Sequence, residues 1–329
     1  IKQTLYRTGP DSAVVDALVE AAQAGKEVTV VIELRARFDE ADNIQLANRL
    51  HEVGVHVAYG VVGFKTHAKL ILVVRQEEDG LKRYVHMGTG NYHPSTAKVY
   101  TDYGMFTANA DACEDVHSVF LQLTGLSQKP RLRKLRQAPF DLHASLMRCI
   151  EREAAIASEG REARIIVKVN SLVEPRIIDA LYFASKQGVQ IDLIVRGMCC
   201  LRPGVAGLSE NIRVRSILGR FLEHSRVYYF RNDGHDDLYC ASADWMDRNF
   251  FRRVEVSFPI TDSDAKARIL DELGLYLKDR AGAWQLAHDG SYHRLSKSNA
   301  KGPSVQKTLL ERSQPDHNAP PVLVAIKPR

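Results

Sequence analysis

The sequence predicts an α/β protein of two domains related by internal duplication, each a mixed β-sheet flanked by helices. Three observations lead there. The chain has 329 residues, of which 45% are hydrophobic and 26% charged, enough for two real cores. A rhythm of helix-period and strand-period segments alternates along it. Above all, two segments read alike: "VVDALVEAAQAGKEVTVVIELRARF" from Val14 and "IIDALYFASKQGVQIDLIVRGMCC" from Ile177. Asp16 answers Asp179 and Gly25 answers Gly188 at the same offset. Order and spacing repeated over such a length point to duplication.

Each element of the repeat has a local reason. A helical pattern ends at Gly25 or Gly188, as a helix C-terminus favours. A β-rich apolar run follows, "VTVVIEL" or "IDLIV", and reads as a buried strand. Arginines lie in or just after these runs: Arg35 and Arg37 in the first half, Arg196 in the second. Next, "THAKLILVV" answers "EHSRVYYF", with Leu70 to Val74 expected as a core strand. "YVHMGTGNY" (84–92) is set against "LYCASADWM" (238–246), each a short strand running into small polar residues. Each half closes on a strand, a Thr/Asp-rich turn and a helix: "TDYGMFTANADACEDVHSVFLQLTG" and "VEVSFPITDSDAKARILDELGLYL".

The expected domains are 1–134 and 135–295, with a flexible tail over 296–329, where Ser, Lys and Pro accumulate. Between the halves, "SQKPRLRKLRQAP" is either a solvated linker or a basic wall for a long anion. The chain opens on Ile1 in mid-pattern and is expected to be a piece lacking an N-terminal part. No apolar run approaches the roughly 20 residues that span a bilayer, and no secretory signal pattern is visible. Five cysteines without a C-x-x-C pair suit a reducing cytoplasm. A formal charge of +5 permits an anionic partner without demanding one.

The chemistry lies in two His-x-Lys/Arg motifs. Side chains alternate along a strand, so His67 and Lys69 share one face, roughly 6–7 Å apart; His224 and Arg226 repeat the pattern. A lone histidine at a strand end is ordinarily structural. Two, each with a cation two residues on and at matching places in a duplicated unit, point to a shared site. An imidazole with an ordinary pKa of about 6.5 is a usable nucleophile for phosphorus at neutral pH. Phosphoryl transfer needs cations around the equatorial oxygens. A second imidazole opposite would hold or protonate the leaving oxygen. His86 is a rival imidazole near the same motif. Arg202, Arg213, Arg215 and Arg220 either line a polyanion path or are ordinary surface charges.

These paired motifs resemble the phospholipase D superfamily, so the two domains are expected to be phospholipase D-like. "GTGN" at 88–91 and "SADW" at 242–245 sit where that superfamily carries a Gly/Ser-x-Asn segment. The H-x-K-x4-D pattern is not completed, because Val74 and Arg231 occupy the aspartate positions. A narrower likeness covers residues 1 to about 290: "IKQTLYR", "ELRARFDEADNI", "HAKL", "GTGNY", "YTDYG", "IVRGMC", "NIRVRSI", "LEHSRVY" and "SADWMDRN" together resemble the histidine-dependent polyphosphate kinase family. That resemblance implies reversible transfer of the ATP γ-phosphate to inorganic polyphosphate through a phosphohistidine, with Mg2+. It implies a chain made of most of the first C-terminal domain and all of the second.

Carried over, the resemblance implies His67 as the phosphorylated nucleophile, while the argument from a second imidazole makes His224 the leaving-group partner. The resemblance also implies Tyr100, Arg196 and His224 as nucleotide contacts, and the face argument adds Lys69 and Arg226 for phosphate. Arg7 and Arg37 fall where the family has arginines near magnesium. Guanidinium has no lone pair to give a metal, so both are read as phosphate ligands beside the ion, whose own ligands would be phosphate oxygens, water and a carboxylate. Expected partners are ATP, ADP and polyphosphate, not nucleic acid. A homo-oligomeric full-length protein and a cytoplasmic location, compatible with peripheral membrane association, are expected too. The competing functions are a phospholipase D-like phosphodiesterase or nuclease and a non-catalytic polyanion-binding module.

Overall fold

The apolar runs of the repeat become the inner strands of two sheets. The computed structural model describes residues 1–6, 8–9, 12–33, 40–127, 129, 131–295 and 304–313. The first half runs β1 (Lys2–Leu5), α1 (Ala13–Gln23), β2 (Thr29–Ile32), α2 (Glu40–Glu52), β3 (His56–Ala58), β4 (Lys65–Thr66), β5 (Lys69–Glu77), β6 (Gly80–Gly88), α3 (Pro94–Ala97), β7 (Tyr100–Thr101), β8 (Gly104–Thr107) and α4 (Ala110–Leu123). The second half runs β9 (Arg136–Ala138), α5 (Leu142–Ser158), β10 (Arg164–Val169), α6 (Pro175–Lys186), β11 (Gln190–Val195), β12 (Ile212–Ile217), β13 (Leu222–Glu223), β14 (Arg226–Phe230), β15 (Asp237–Ala241), α7 (Asp247–Phe251), β16 (Arg253–Pro259), α8 (Ser263–Lys278), β17 (Ala283–Leu286) and β18 (Tyr292–Arg294), then α9 (Val305–Arg312).

Both sheets are mixed, and they match. The first has the order β3-β2-β1-β5-β6-β8 and the second β18-β17-β12-β11-β10-β14-β15-β16-β4, with β9 also on β16. Strands β1, β2 and β3 pair in parallel, as do β10, β11 and β12. The strand carrying each His-x-Lys/Arg motif then joins antiparallel, β5 on β1 and β14 on β10. Helices α1 and α6 stop where Gly25 (φ +76) and Gly188 (φ +101) take the left-handed conformation, which costs glycine little. The closing helices start on matching caps: Asn109 accepts from the Ala112 N–H at 3.1 Å and Asp262 from the Ala265 N–H at 2.8 Å.

One apolar cluster joins the halves. Leu70, Leu72, Val85, Met87 and Phe120 of the first pack in the same buried group as Val227, Cys240, Phe258, Leu273 and Tyr276 of the second. Backbone pairing crosses too. β4 lies parallel to Arg253–Val254 of β16, and β13 lies parallel to β7. Burying this shared apolar surface holds the halves face to face, and their motif strands meet along that seam.

Three expectations change. Leu70, Leu72 and Val74 share one face of β5, but only the first two are buried and Val74 is 40% exposed, because the outer end of the strand runs past the core, with Arg75 and Gln76 exposed as well. Within 296–329, expected as a flexible tail, residues 305–312 form α9, with Val305 and Gln306 buried; 296–303 and 314–329 lie outside the described residues. The basic segment between the halves is anchored. Buried Asp115 of α4 accepts the backbone N–H groups of Arg133, Lys134 and Leu135 at 2.7–3.0 Å, and Arg133 pairs with Asp111 at 2.7 Å. Among the described residues, no helix is long and apolar enough to cross a membrane.

Replacing Asp115 by alanine orphans these three N–H groups at the domain junction. Stability is expected to fall by about 2–3 kcal/mol, read as a lower urea midpoint with circular dichroism retained. A midpoint equal to wild type would refute the anchoring role.

Candidate active site

The crossing strands set the site. His67 sits between β4, in the second sheet, and β5, in the first. The N–H groups of His67 and Ala68 both donate to the carbonyl of Val254, at 2.9 and 3.0 Å. This bulge turns the imidazole onto the next residue of β16, Glu255. His67 Nδ1 lies 2.8 Å from Glu255 Oε2. The same carboxylate accepts from Ser242 Oγ at 2.5 Å and Asn249 Nδ2 at 2.6 Å. Glu255 is fully buried.

The second half repeats this with the roles of the halves exchanged. His224 sits between β13, paired with β7, and β14. Its Nδ1 lies 2.8 and 2.9 Å from the two oxygens of Asp102, the residue after β7. Thr89 Oγ1 donates to Asp102 at 2.6 Å, as Ser242 does to Glu255. Each histidine is thus oriented by a carboxylate of the opposite half. With Nδ1–H held by an acceptor, the reactive lone pair falls on Nε2.

Strand register fixes the remaining correspondences. Lys69 pairs with Gly88 and Arg226 with Ala241. Thr89 therefore answers Ser242 and Asn91 answers Asp244, one residue away from the register in which the sequence set 84–92 against 238–246. Lys65↔Arg253 and Leu222↔Tyr100 make Arg253 the counterpart of Tyr100. Arg253 stands 3.9 Å from Glu255, while the Tyr100 ring lies 4.9 Å from that of His224 at 46°.

The two cations differ. Arg226 is engaged: Nε and Nη2 bind Asp244 at 3.2 and 3.0 Å, and Nη1 reaches the carbonyls of His224 (2.8 Å) and Thr89 (3.3 Å) and the Nε2 of His224 at 3.0 Å. Asn91 stands at the position where the second half has Asp244, the carboxylate that binds Arg226. Among the described residues Lys69 makes one hydrogen bond, to the His67 carbonyl. His67 Nε2 has no partner among the described residues, and the Tyr6 ring meets the His67 ring edge-on at 4.9 Å. Arg196 donates to Asn170 Oδ1 at 2.9–3.0 Å and to the Glu223 carbonyl at 2.7 Å. Asn170 in turn donates to the carbonyl of His224 at 3.3 Å, so Arg196 braces that strand.

Electrostatics agree with one shared centre. Burial, and then Lys69, Arg253 and Arg226, push the His67 imidazole well below its ordinary range. Burial and Arg226, against Asp102, push His224 down to about 4, and Lys69 adds to this. Cations of each half therefore act on the histidine of the other. Burial lowers the Lys69 ammonium to about 7, against the pull of Glu255. Burial raises the Asp244 carboxyl, but the Arg226 guanidinium outweighs it and leaves Asp244 at about 2.

His67, Lys69, Tyr100, Arg196, His224 and Arg226 thus gather around one seam. Arg7 and Arg37 lie outside the described residues, as does Arg35. His86 is turned away; its Nδ1 meets Tyr92 OH at 2.8 Å and its ring packs on Phe106. Arg213 is paired with Asp192, and Arg215 caps the C-terminal carbonyls of α8. Among the described residues no cluster of His, Cys, Asp and Glu could hold a metal ion. Asp102, Asp244 and Glu255 lie within the segments quoted above and Arg253 just outside them, but no local pattern marks any of the four as a site residue. Aligning the closing segments on their helix caps, Asn109 and Asp262, brings Asp102 opposite Glu255 and would have found them.

Comparison with known proteins fits this geometry. The profile described as polyphosphate kinase C-terminal domain 1 matches residues 1–129, and that of C-terminal domain 2 matches residues 135–306. A polyphosphate kinase of Xylella fastidiosa is 59% identical over 94% of this chain and 45% of its own length. One from Pseudomonas aeruginosa is 57% identical over 99% of this chain and 46% of its own. The crystal structure of polyphosphate kinase from Porphyromonas gingivalis superposes with a TM-score of 0.87 at 34% identity, over 94% of this chain and 48% of that one. Phosphatidylserine synthase of Haemophilus influenzae shares the fold, with a TM-score of 0.61 at 10% identity, over 94% of this chain and 86% of that one. The chain belongs to the polyphosphate kinase family and spans about 45% of the length of these curated relatives.

The lowered imidazole pKa values have a definite sign. The unfolded chain protonates both histidines at about pH 6.5, while the folded chain keeps His224 neutral to about 4 and His67 neutral further down than usual. Stability from these groups is therefore full above pH 6.5 and is lost as pH falls toward 4. Proton NMR should show His224 titrating near pH 4 and His67 titrating well below the ordinary imidazole range. The urea midpoint should fall more steeply between pH 7 and 4.5 than in a His67→Gln/His224→Gln variant. Either imidazole titrating near 6.5 would contradict this.

Proposed function

We propose that this chain carries the phosphoryl-transfer centre of a polyphosphate kinase, moving the γ-phosphate of ATP reversibly to the end of a polyphosphate chain through phosphorylated His67. The observation that carries the reading is the His67–Glu255 pair, which fixes Nδ1–H and leaves Nε2 without a partner among the described residues, near Lys69 and Arg253. His224 is the weaker nucleophile, because its Nε2 already lies against Arg226.

In the first step the Nε2 lone pair of His67 forms the N–P bond as the bond from phosphorus to the ADP oxygen breaks. ADP departs as the anion. Nδ1–H stays on Glu255, which offsets the positive charge of the phosphorylated ring. In the second step a terminal polyphosphate oxygen attacks phosphorus and the N–P bond breaks. Lys69 and Arg253 neutralise the equatorial oxygens. An anionic phosphate beside His224 raises its proton affinity, the state in which Nε2–H donates to the leaving oxygen. The tyrosine at 100 and the arginine at its counterpart, 253, give the site a polarity. The aromatic end of ATP goes to Tyr100, braced by Arg196, and the transferred phosphate goes to Arg253 and His67. Arg226 acts by charge and by holding the strand.

Magnesium belongs to this reading as an ion brought in on the phosphate oxygens of the nucleotide. The described side chains form no cage for it, and no step above is routed through it. Arg7 and Arg37 remain proposed phosphate ligands beside that ion. The same reading takes the full-length protein to be a homo-oligomer in the cytoplasm, where ATP is available.

With γ-labelled ATP and Mg2+, a protein of the full length of the relatives should acquire acid-labile, base-stable label, and this chain alone weak label or none. Label surviving His67→Ala would sink the nucleophile assignment. Cleavage of a phosphodiester without ADP formation would favour a diesterase instead. Glu255→Gln should keep the fold but slow labelling by about 100-fold or more, the scale seen when the acceptor orienting a catalytic imidazole is neutralised; an unchanged rate would remove Glu255 from the mechanism.

A further inference from the structure

Helix α9 reaches the site from a part of the chain that no motif singled out. Ser304 caps it, accepting from the Lys307 N–H at 3.2 Å. The Val305 N–H donates to Asp279 at 2.7 Å, and the Val305 side chain joins the shared core. Gln306, buried with it, makes three hydrogen bonds, all to the segment before His224. Its Nε2 donates to the Phe221 carbonyl at 2.8 Å and to Glu223 Oε1 at 2.7 Å, and its Oε1 accepts the Phe221 N–H at 2.9 Å. Gly219 makes the room; a β-carbon there would overlap the Gln306 amide.

Glu223 spreads this hold. Its Oε2 accepts from Lys168 Nζ at 2.9 Å, Tyr276 OH at 2.8 Å and Thr101 Oγ1 at 3.0 Å. Thr101 also accepts the His224 N–H at 3.2 Å. The carbonyl of Glu223 itself accepts from Arg196 Nε at 2.7 Å. Tyr100, Arg196 and His224 therefore all hang on β13 or its partner β7, and both oxygens of the buried Glu223 carboxylate must be satisfied for that ribbon to keep its place. Removing the Gln306 amide leaves Phe221 and Glu223 each short of a partner, next to the histidine.

We propose that Gln306 is a positioning residue for the nucleotide-contacting set, fixing β13 so that His224 meets Asp102 and Tyr100. The proposal rests on the reading of Tyr100, Arg196 and His224 as nucleotide contacts, and its test separates the two. Gln306→Ala and Gln306→Glu are made in this chain, the second keeping the shape but setting a carboxylate against Glu223. Histidine-labelled NMR follows the Nδ1 protons of His224 and His67. Both variants should shift or broaden the His224 signal and leave that of His67 in place, with the thermal midpoint lowered by less than about 5 °C. ATP affinity should fall about tenfold.

Val305→Ala thins the same helix contact but keeps the amide, and should leave the His224 signal unchanged. A His224 signal indifferent to both Gln306 variants overturns the proposal. So does a Val305→Ala shift as large as that of Gln306→Ala, or equal loss of both histidine signals. If the His224 signal responds but a wild-type protein of the full length of the relatives binds no ATP, the nucleotide reading fails and the positioning of His224 stands.

Discussion

Everything at the seam depends on the crossed pairing of imidazole and carboxylate. His67 of one half is held by Glu255 of the other, and His224 by Asp102 in return. Neither half owns a complete site. The pairing requires the sheets to be face to face, which the shared apolar cluster provides, and it requires short strands to change sides. β4 and β13 do this. Each places its histidine one step beyond a parallel pair whose partner strand then delivers the carboxylate.

Duplication supplies a twofold frame, and substitution within it supplies direction. Asn91 against Asp244 leaves Lys69 without the carboxylate that ties down Arg226. Tyr100 against Arg253 puts an aromatic ring beside one histidine and a guanidinium beside the other. A symmetric site would treat both ends of a substrate alike. Among the described residues, this one presents a lysine bonded to no carboxylate, an arginine and an unpartnered Nε2 on the His67 side, and a ring with a strand brace on the His224 side. Under the proposed function that asymmetry is what distinguishes the phosphate that moves from the nucleotide that leaves.

The sequence made the fold legible because strand and helix periods repeat, and the glycines and caps that end the elements repeat with them. The paired motifs made His67, Lys69, His224 and Arg226 legible for the same reason. The carboxylates were harder. Asp102 and Glu255 differ in type and stand far in the chain from the histidines they serve, so no local pattern joins them. Only the caps at Asn109 and Asp262 set the register that aligns them. Val74 looked like core because an apolar run says nothing about where along a strand the covering layer stops. Helix α9 was hidden in a stretch of tail-like composition, since two buried residues, Val305 and Gln306, dock it and too few apolar positions repeat to signal a helix.

The absence of the usual aspartate from each motif bears on the chemistry as well. Val74 faces solvent and Arg231 pairs with Glu162 at 2.8 Å, so neither position touches the seam. The negative charge of the centre comes from Asp102, Glu255 and Asp244, all set against cations or imidazoles. Burying so many charges does not stabilise a fold by itself, and apolar residues would pack as well or better. The network stays folded because nearly every oxygen in it is satisfied by a named donor. What such a network gives is fixed orientation in a site with little water, where a positive charge developing on one imidazole meets a carboxylate already in place and no reorganisation is needed.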